Sequence, residues 1–481
     1  MSARREVQLL GAVAVALLLL TGTGTTYAGW TDTTEVGRGH TVTSGDLRIE
    51  PVRGEASVRR GGATLPTSTP LLPGDVVEIT TSVRLAVSGV AGRLALDATR
   101  TADAFADAGV ALGTPNLTVA GLAPGPAAVD GTTWQGQVTG ADDGALVTGT
   151  VQLPVRTDLA PAAQGRSVDL TATPVTWDLA QESTVAGWHD GERATLEPVT
   201  VDRVGLTVAR TGAGAWKVTN TSGSASVTWG PTAVSAAPLG ATTSTEATNV
   251  LSGLTIGYGT DCSTQRWQAQ PGGATRPVTG TGDTLAAGAS SGLCAQVAPT
   301  DASSLVRDYG ARSVELTTTV TTTAAAAPTW TATGTAQATY QVAFPQPTGL
   351  TCQSGLYAVL LETPAKLTWS WADSTTKQPA VALWELVRQA SDGSWRTVDK
   401  SITSSLSVDV HRSDLPSDGT TRKFKVRAYP FSTSGTVDRS VYVESDTVAS
   451  LRRDVLDAPV CDGSPQPNNG PAAAPISGGL S

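Results

Sequence analysis

Methionine occurs only as the initiator, histidine at three scattered positions (His40, His189, His411) and phenylalanine four times in 481 residues. Lysine is scarce, and 42 acidic residues against 33 basic ones give a formal charge of −9. Each shortage removes a class of function. A zincin needs two histidines one helical turn apart around a glutamate, and no such pair exists. Gly272-Gly273 and Gly280-Thr281-Gly282 lack the helix and lysine of a phosphate loop and read as turns. No catalytic, cofactor-binding or metal-binding residue is therefore assigned, and no cofactor. Nucleic acid and anionic lipid are held through clustered Lys and Arg, which this balance argues against.

What is abundant is threonine, valine, glycine and alanine. β-Branched residues between turn formers favour pleated strands, and no long 3.6-residue apolar period follows the first thirty residues. The expected fold class is all-β: tandem antiparallel β-sandwich domains, jelly-roll or Ig-like, after an N-terminal signal helix. Residues 29–182 alternate cleanly, as in Asp46-Leu47-Arg48-Ile49-Glu50 and along Val77, Ile79, Thr81, Val83, Leu85 and Val87 after the Leu72-Pro73-Gly74-Asp75 turn. Residues 183–200, with Trp188-His189-Asp190-Gly191-Glu192-Arg193, read as a linker. A second sandwich is expected over 201–346. There, Arg312-Ser313-Val314-Glu315-Leu316-Thr317 echoes Arg166-Ser167-Val168-Asp169-Leu170-Thr171, a weak sign of duplication. A third module covers 348–462. The Pro, Gly, Asn and Ala of 463–481 predict disorder, with neither a sortase motif nor a closing apolar span.

The N-terminus carries the most specific signal. Arg4-Arg5, an apolar run from Val7 to Leu20 and a small-residue exit at Thr26-x-Ala28 have the order of a secretory leader. The run spans only about 21 Å as a helix at 1.5 Å per residue, so cleavage between Ala28 and Gly29 is expected in place of a stable membrane span. The leader holds Arg4, Arg5 and Glu6, a net +1, so removing it takes the charge from −9 to −10. The junction Thr26-Tyr27-Ala28-Gly29-Trp30-Thr31-Asp32, followed by Ser44-Gly45-Asp46-Leu47-Arg48-Ile49, resembles the alternate-signal exported proteins, the family matured by a SipW-type signal peptidase that includes TasA and camelysin. The Leu-x-Pro-Gly-Asp turn at 71–75 extends that likeness, which implies a TasA-like sandwich over roughly the first 180 residues. Camelysin-like relatives also bring a metallopeptidase reading, which the missing ligands weigh against.

In the third module Leu367-Thr368-Trp369-Ser370-Trp371, Trp384-Glu385-Leu386, and Phe424-Lys425-Val426-Arg427-Ala428-Tyr429 occur in an order that resembles a fibronectin type III domain. Four cysteines in an exported chain suggest two disulfides with three connectivities. Sequence order favours Cys262–Cys294 and Cys352–Cys461. Trp188, Trp267 and Trp395 lie near turns and are the candidate exposed binding aromatics. Asp103 with Asp107, or Asp142-Asp143-Gly144, could hold calcium, though paired loop carboxylates are commonplace. Asn116-Leu117-Thr118 and Asn220-Thr221-Ser222 match the glycosylation pattern.

The combined expectation is a secreted, non-catalytic surface or extracellular-matrix protein. Its partners would be the maturation peptidase and either itself, by N-terminal strand addition, or a cell-wall or matrix component. The alternative is a glycan- or protein-binding adhesin acting through the third module. Mass determination of the secreted protein is expected to place its first residue at Gly29; retention of Val7–Leu20 would overturn the cleavage reading.

Overall fold

The structure, a computed structural model, describes residues 46–181, 189–194, 196–240, 242–355, 357–358, 361–371, 382–402, 405–430, 439, 442–468, 476 and 478–481. The Ala28–Gly29 junction, Trp188 and the N-terminal segment lie outside them. The chain is mostly antiparallel β, as its composition predicts. It divides into two compact units: one ends at Thr200, and the other begins at Val201 and also takes in Ala160–Gly165.

Alternation builds the first unit. Along Val76–Ser88 the residues Val77, Ile79, Thr81, Val83, Leu85 and Val87 are buried while their neighbours stay wetter, because successive side chains point to opposite faces. This strand pairs with Asp46–Arg60 on one side and Leu146–Pro154 on the other, in a sheet finished by Ala63–Leu65 and Asn116–Ala120. The facing sheet runs His189–Arg193, Thr176–Gln181, Gly92–Asp97, Thr133–Val138, Ala127–Asp130. Trp177 crosses the gap and donates its Nε1–H to Thr81 Oγ1 at 2.7 Å. Opposite it, a Cβ on Gly149 would fall 2.7 Å from the Trp177 ring. The Leu72–Asp75 turn is closed by the buried Asp75 carboxylate, which accepts from Leu72 N–H and pairs with Arg60, both at 2.7 Å.

The expected linker is part of this sandwich. His189–Arg193 pairs with Thr176–Gln181, Val199–Thr200 pairs with Ser167–Val168, and Leu196 and Val199 are buried. Its polarity misled because an edge strand is held by main-chain bonds and needs little apolar surface. The sequence echo also has no structural counterpart: Ser313–Ala324 is a twelve-residue strand, whereas Ser167–Val168 is two residues long and gives way to a turn in which Asp169 Oδ1 accepts from Thr171.

In the second unit one continuous sheet runs Leu206–Gly212, Ala215–Asn220, Ser290–Pro299, Leu254–Gly259, Trp267–Ala269, Thr275–Gly280, Val227–Leu239, Ser313–Ala324, Ala327–Gln341, and finally Gly479–Leu480. The helix Ser244–Ser252 packs beside it. Thr243 and Glu246 form a reciprocal capping box. Burial of Glu246 pushes its carboxyl up, but the Thr243 N–H and the Arg312 guanidinium at 3.1 Å outweigh burial and hold it below the usual carboxylate range. Buried Arg276 donates to the carbonyls of Leu251, Leu254, Ala269 and Gln270, closing the C-terminal end of the same helix. This helix, Thr99–Asp107 and Ala302–Tyr309 are too short to register as a 3.6-residue period in the sequence.

The remainder of this unit places the sheet Thr348–Gln353, Ala365–Ser370, Ser407–Val410 against a larger one built from Trp395–Ile402, Ala382–Gln389, Arg422–Pro430, Thr447–Arg453 and Pro459–Cys461. Between them Trp369 and Trp371 both meet Trp384 edge-on, with centroids at 5.7 Å, and Phe344 meets Trp371 at 5.4 Å. The terminal segment, expected to be disordered, pairs at two places: Gln466–Pro467 with Thr447–Val448, and Gly479–Leu480 with Tyr340–Gln341. Main-chain pairing again substitutes for the missing apolar bulk.

The disulfides join Cys262 to Cys294 and Cys352 to Cys461, with Cα atoms 5.2 and 6.0 Å apart and loops of 32 and 109 residues. Chain entropy assigns about 3.7 kcal/mol to the shorter loop and about 4.8 to the longer. Replacing Cys352 and Cys461 by alanine is therefore expected to lower the denaturant midpoint more than replacing Cys262 and Cys294; the reverse order would show that native packing outweighs loop length.

Candidate binding surface

Lys425, Arg427 and Tyr429 are two residues apart on Arg422–Pro430 and share one sheet face, while Phe424, Val426 and Ala428 face the tryptophan core. Pairing sets Val387 beside Lys425, Glu385 beside Arg427 and Leu383 beside Tyr429. On the other side Glu444 stands opposite Arg427. Charges thus interdigitate across three strands. Glu444 takes Lys425 on one oxygen and Arg427 Nε at 2.8 Å on the other, and Glu385 pairs with Arg439.

Aromatic rings cover the cations. Lys425 Nζ lies 4.1 Å from the Trp395 ring centroid, Arg427 Cζ 4.7 Å from that of Tyr442, and Arg439 Cζ 5.6 Å from that of Tyr429. Tyr429 and Tyr442 are themselves 5.8 Å apart. Glu385, Lys425 and Glu444 are at most 3% exposed, although they sit on the face turned away from the core. Burial pushes the Lys425 ammonium down, more than Glu444 raises it. Burial also lowers Arg427, but its bond to Glu444 outweighs that and leaves it raised; burial raises the Tyr429 phenol. Among the described residues of the cluster, three cations (Lys425, Arg427, Arg439) meet two carboxylates (Glu385, Glu444). Trp395 and Tyr442 stay half-buried at its surface, which gives it the ring faces and cationic edge that a polar ligand could meet.

The other candidates are dispersed. Trp267 is buried, contrary to expectation: it packs 5.4 Å from Trp229 in a slot lined by Gly230 and Gly280, where a Cβ would lie 2.9 and 2.4 Å from its ring. Trp395 is half-buried over Lys425. Asp103 and Asp107 lie on the helix Thr99–Asp107. Asp142 spends its carboxylate on the N–H groups of Ala123 and Thr139, and Asp143 on that of Val87. Asp190 accepts from Ile49 N–H, and Asp414 caps His411 N–H. Asn116 bonds Gln152, and Asn220 is fully buried with its amide on three carbonyls. Among the described residues no group of three or more His, Cys, Asp or Glu could hold a metal ion, and no helix is long and apolar enough to cross a membrane. The cation–aromatic face was missed because its partners come from three other strands and from Arg439 and Tyr442 outside any strand; only the Lys425-x-Arg427-x-Tyr429 alternation was visible.

If Trp395 seals Lys425, acetylation of the native protein should modify exposed Lys423 and spare Lys425, and Trp395→Ala should make Lys425 reactive. Equal labelling of both lysines in the unsubstituted protein, read by mass spectrometry, would refute the seal.

No family model matches the chain, and no curated protein does. Solved structures resemble it distantly. The C-terminal domain of the Streptococcus agalactiae AgI/II polypeptide BspA aligns at 8% identity over 59% of this chain and 99% of its own, TM-score 0.24. The CupB6 tip adhesin of Pseudomonas aeruginosa aligns at 11% over 58% and 94%, TM-score 0.25. The Bacillus cereus major pilin subunit BcpA aligns at 8% over 76% and 68%, TM-score 0.21. At these scores the likenesses carry no argument about function.

Proposed function

We propose that this chain is an exported, non-catalytic surface or matrix protein whose mature N-terminal segment, Gly29 to Val42, adds as a strand to the sheet of another copy. The observation that carries this reading is the Ala28–Gly29 junction with its Trp30-Thr31-Asp32 follow-on, in a chain stapled by two disulfides. Disulfides persist in oxidising, extracytoplasmic settings, and the resemblance of the junction to the TasA and camelysin family supplies the SipW-type peptidase as maturation partner and the biofilm matrix as setting. A Thr-rich segment that pairs as a strand would offer main-chain donors and acceptors to an open sheet edge, with Trp30 and Val36 as its apolar anchors. A cell-wall or matrix component remains the other partner consistent with this reading.

The cation–aromatic face favours a second reading, an adhesin. Half-buried Trp395 and Tyr442 over Lys425 and Arg427 would suit a glycan or a protein carrying carboxylates. Deleting Gly29 to Val42 from the mature protein is expected to leave monomers where the full mature chain assembles. Filaments from the truncated protein, or none from the full one, would sink strand addition and leave the adhesin reading standing.

A further inference from the structure

One flank of the first unit is a seam between the strand Asp46–Arg60 and the residues that run from Asp190 to Glu197. Two hydrogen bonds close the seam at its ends. Ile49 N–H donates to Asp190 Oδ2 at 3.0 Å, and Thr67 Oγ1 donates to Glu197 Oε2 at 2.7 Å. Between them Asp46–Arg60 carries a bulge: Pro51 stands opposite Val83 and Arg53 opposite Ser82, which leaves one extra residue between. Ala63–Leu65 pairs only with Val58–Arg60, so among the described residues no strand pairs with the seam side of Arg53–Ser57. A bulge bends its strand away from regular pairing, and the seam opens there.

Two clefts fill the opening and meet at Gly54. The first has a volume of 380 Å³, with Pro51, Val83 and Trp177 as apolar walls and Arg53, Glu192 and Arg193 around them. The second, 540 Å³, continues past Glu55 and Ser57 to Thr64, Leu65, Leu196 and Glu197. Both lie within the roughly 300–1,000 Å³ range of small-molecule sites. From Pro51 to Ser57 the groove follows about 20 Å of strand, at ~3.4 Å per residue.

Its polar groups are uncommitted. Glu192 stands opposite Trp177 and shares its inward face, half-buried at the mouth of the gap, and exposed Arg193 borders the rim. Among the described residues neither side chain makes a hydrogen bond or ion pair, nor do the hydroxyls of Ser57 and Thr64. A carboxylate only accepts hydrogen bonds and a guanidinium only donates them, so the groove presents both kinds of partner. A small cation there meets Arg53 and Arg193, and a small anion meets Glu55, Glu192 and Glu197. An uncharged ligand dense in hydroxyls suits both sets, because each hydroxyl donates and accepts. The C–H faces of such a ligand also suit the walls made by Pro51, Trp177 and Leu196. The length of the groove asks for several units in a row.

We propose that this groove is a binding site for a neutral oligosaccharide, laid along Arg53–Ser57. Glu192 and Glu197 accept from its hydroxyls toward the two ends, and Arg193 donates to it at the rim. The site is separate from the cation–aromatic face and from the N-terminal segment, and it rests on neither reading above.

The mature full chain is titrated by calorimetry with tetraoses of glucose, mannose, galactose and N-acetylglucosamine, and with the matching disaccharides. At least one tetraose is expected to bind, at least tenfold more tightly than its disaccharide. Glu192→Ala and Arg193→Ala remove side chains without partners among the described residues, so the melting temperature should hold while each weakens binding at least tenfold. Asp158→Asn, at an exposed position away from the groove, should leave binding unchanged. Failure of every tetraose at millimolar concentration overturns the proposal, as does undiminished binding by both the Glu192→Ala and Arg193→Ala proteins. An alanine–serine tetrapeptide that binds where every sugar fails also overturns it and assigns the groove to extended peptide.

Discussion

Two sheets that face each other leave a gap of about 10 Å that side chains must fill to crystal-like density. Valine and leucine supply most of that filling, but a chain with one methionine and four phenylalanines has few other large side chains to reach across it. Tryptophan takes the role: Trp177, Trp229, Trp330 and Trp384 are the largest fully buried side chains. Each large ring needs a small residue opposite it, and glycine supplies the space. Gly149 lies beside Trp177, Gly136 under Trp134, and Gly230 and Gly280 around Trp267. Some of the glycine in this composition therefore belongs to the core, beside the many glycines that hold positive φ, most of them in turns.

Tryptophan brings a polar N–H into the gap, which costs free energy when unpaired. Trp177 answers with Thr81, and Trp371 donates to the Pro345 carbonyl at 2.6 Å. Trp229 and Trp369 have buried Nε1 atoms without a hydrogen-bond partner, each costing about 1–3 kcal/mol. Both rings instead make close aromatic contacts, with Trp267 and Trp384. Packing is bought there at the expense of hydrogen bonding.

Period-two alternation made the central strands legible, since Val76–Ser88 or Leu146–Pro154 cannot show another face to the core. The capping box Thr243-Ser244-Thr245-Glu246 was also written in the sequence, but nine residues of helix are too few for their apolar stripe to stand out. Trp267 was misjudged because its burial depends on two glycines and a tryptophan distant in sequence. The cation–aromatic face was half legible. Lys425, Arg427 and Tyr429 declare their common side, yet their carboxylates, Glu385 and Glu444, come from other strands.

The segments misread as linker and tail share one physical cause. A central strand must bury side chains on at least one face, so its sequence is apolar at every second position. An edge strand needs only main-chain donors and acceptors plus an anchor or two. His189–Arg193 and Ile476–Ser481 are both of this kind, polar or small, with isolated anchors such as Leu480. Hydrophobic pattern is blind to them, while the edges they cover, Thr176–Gln181 and Thr339–Phe344, are strongly patterned. The informative question for such a chain is which patterned strands would otherwise end a sheet, because a polar segment nearby in the fold then has a place to go. By that test the uncharged edge Ala327–Ala338 pairs with no described strand on its outer side, yet Leu206–Gly212 packs along it, with Val208 and Leu206 against Gly334, so side chains of a neighbouring strand cover what main-chain pairing leaves.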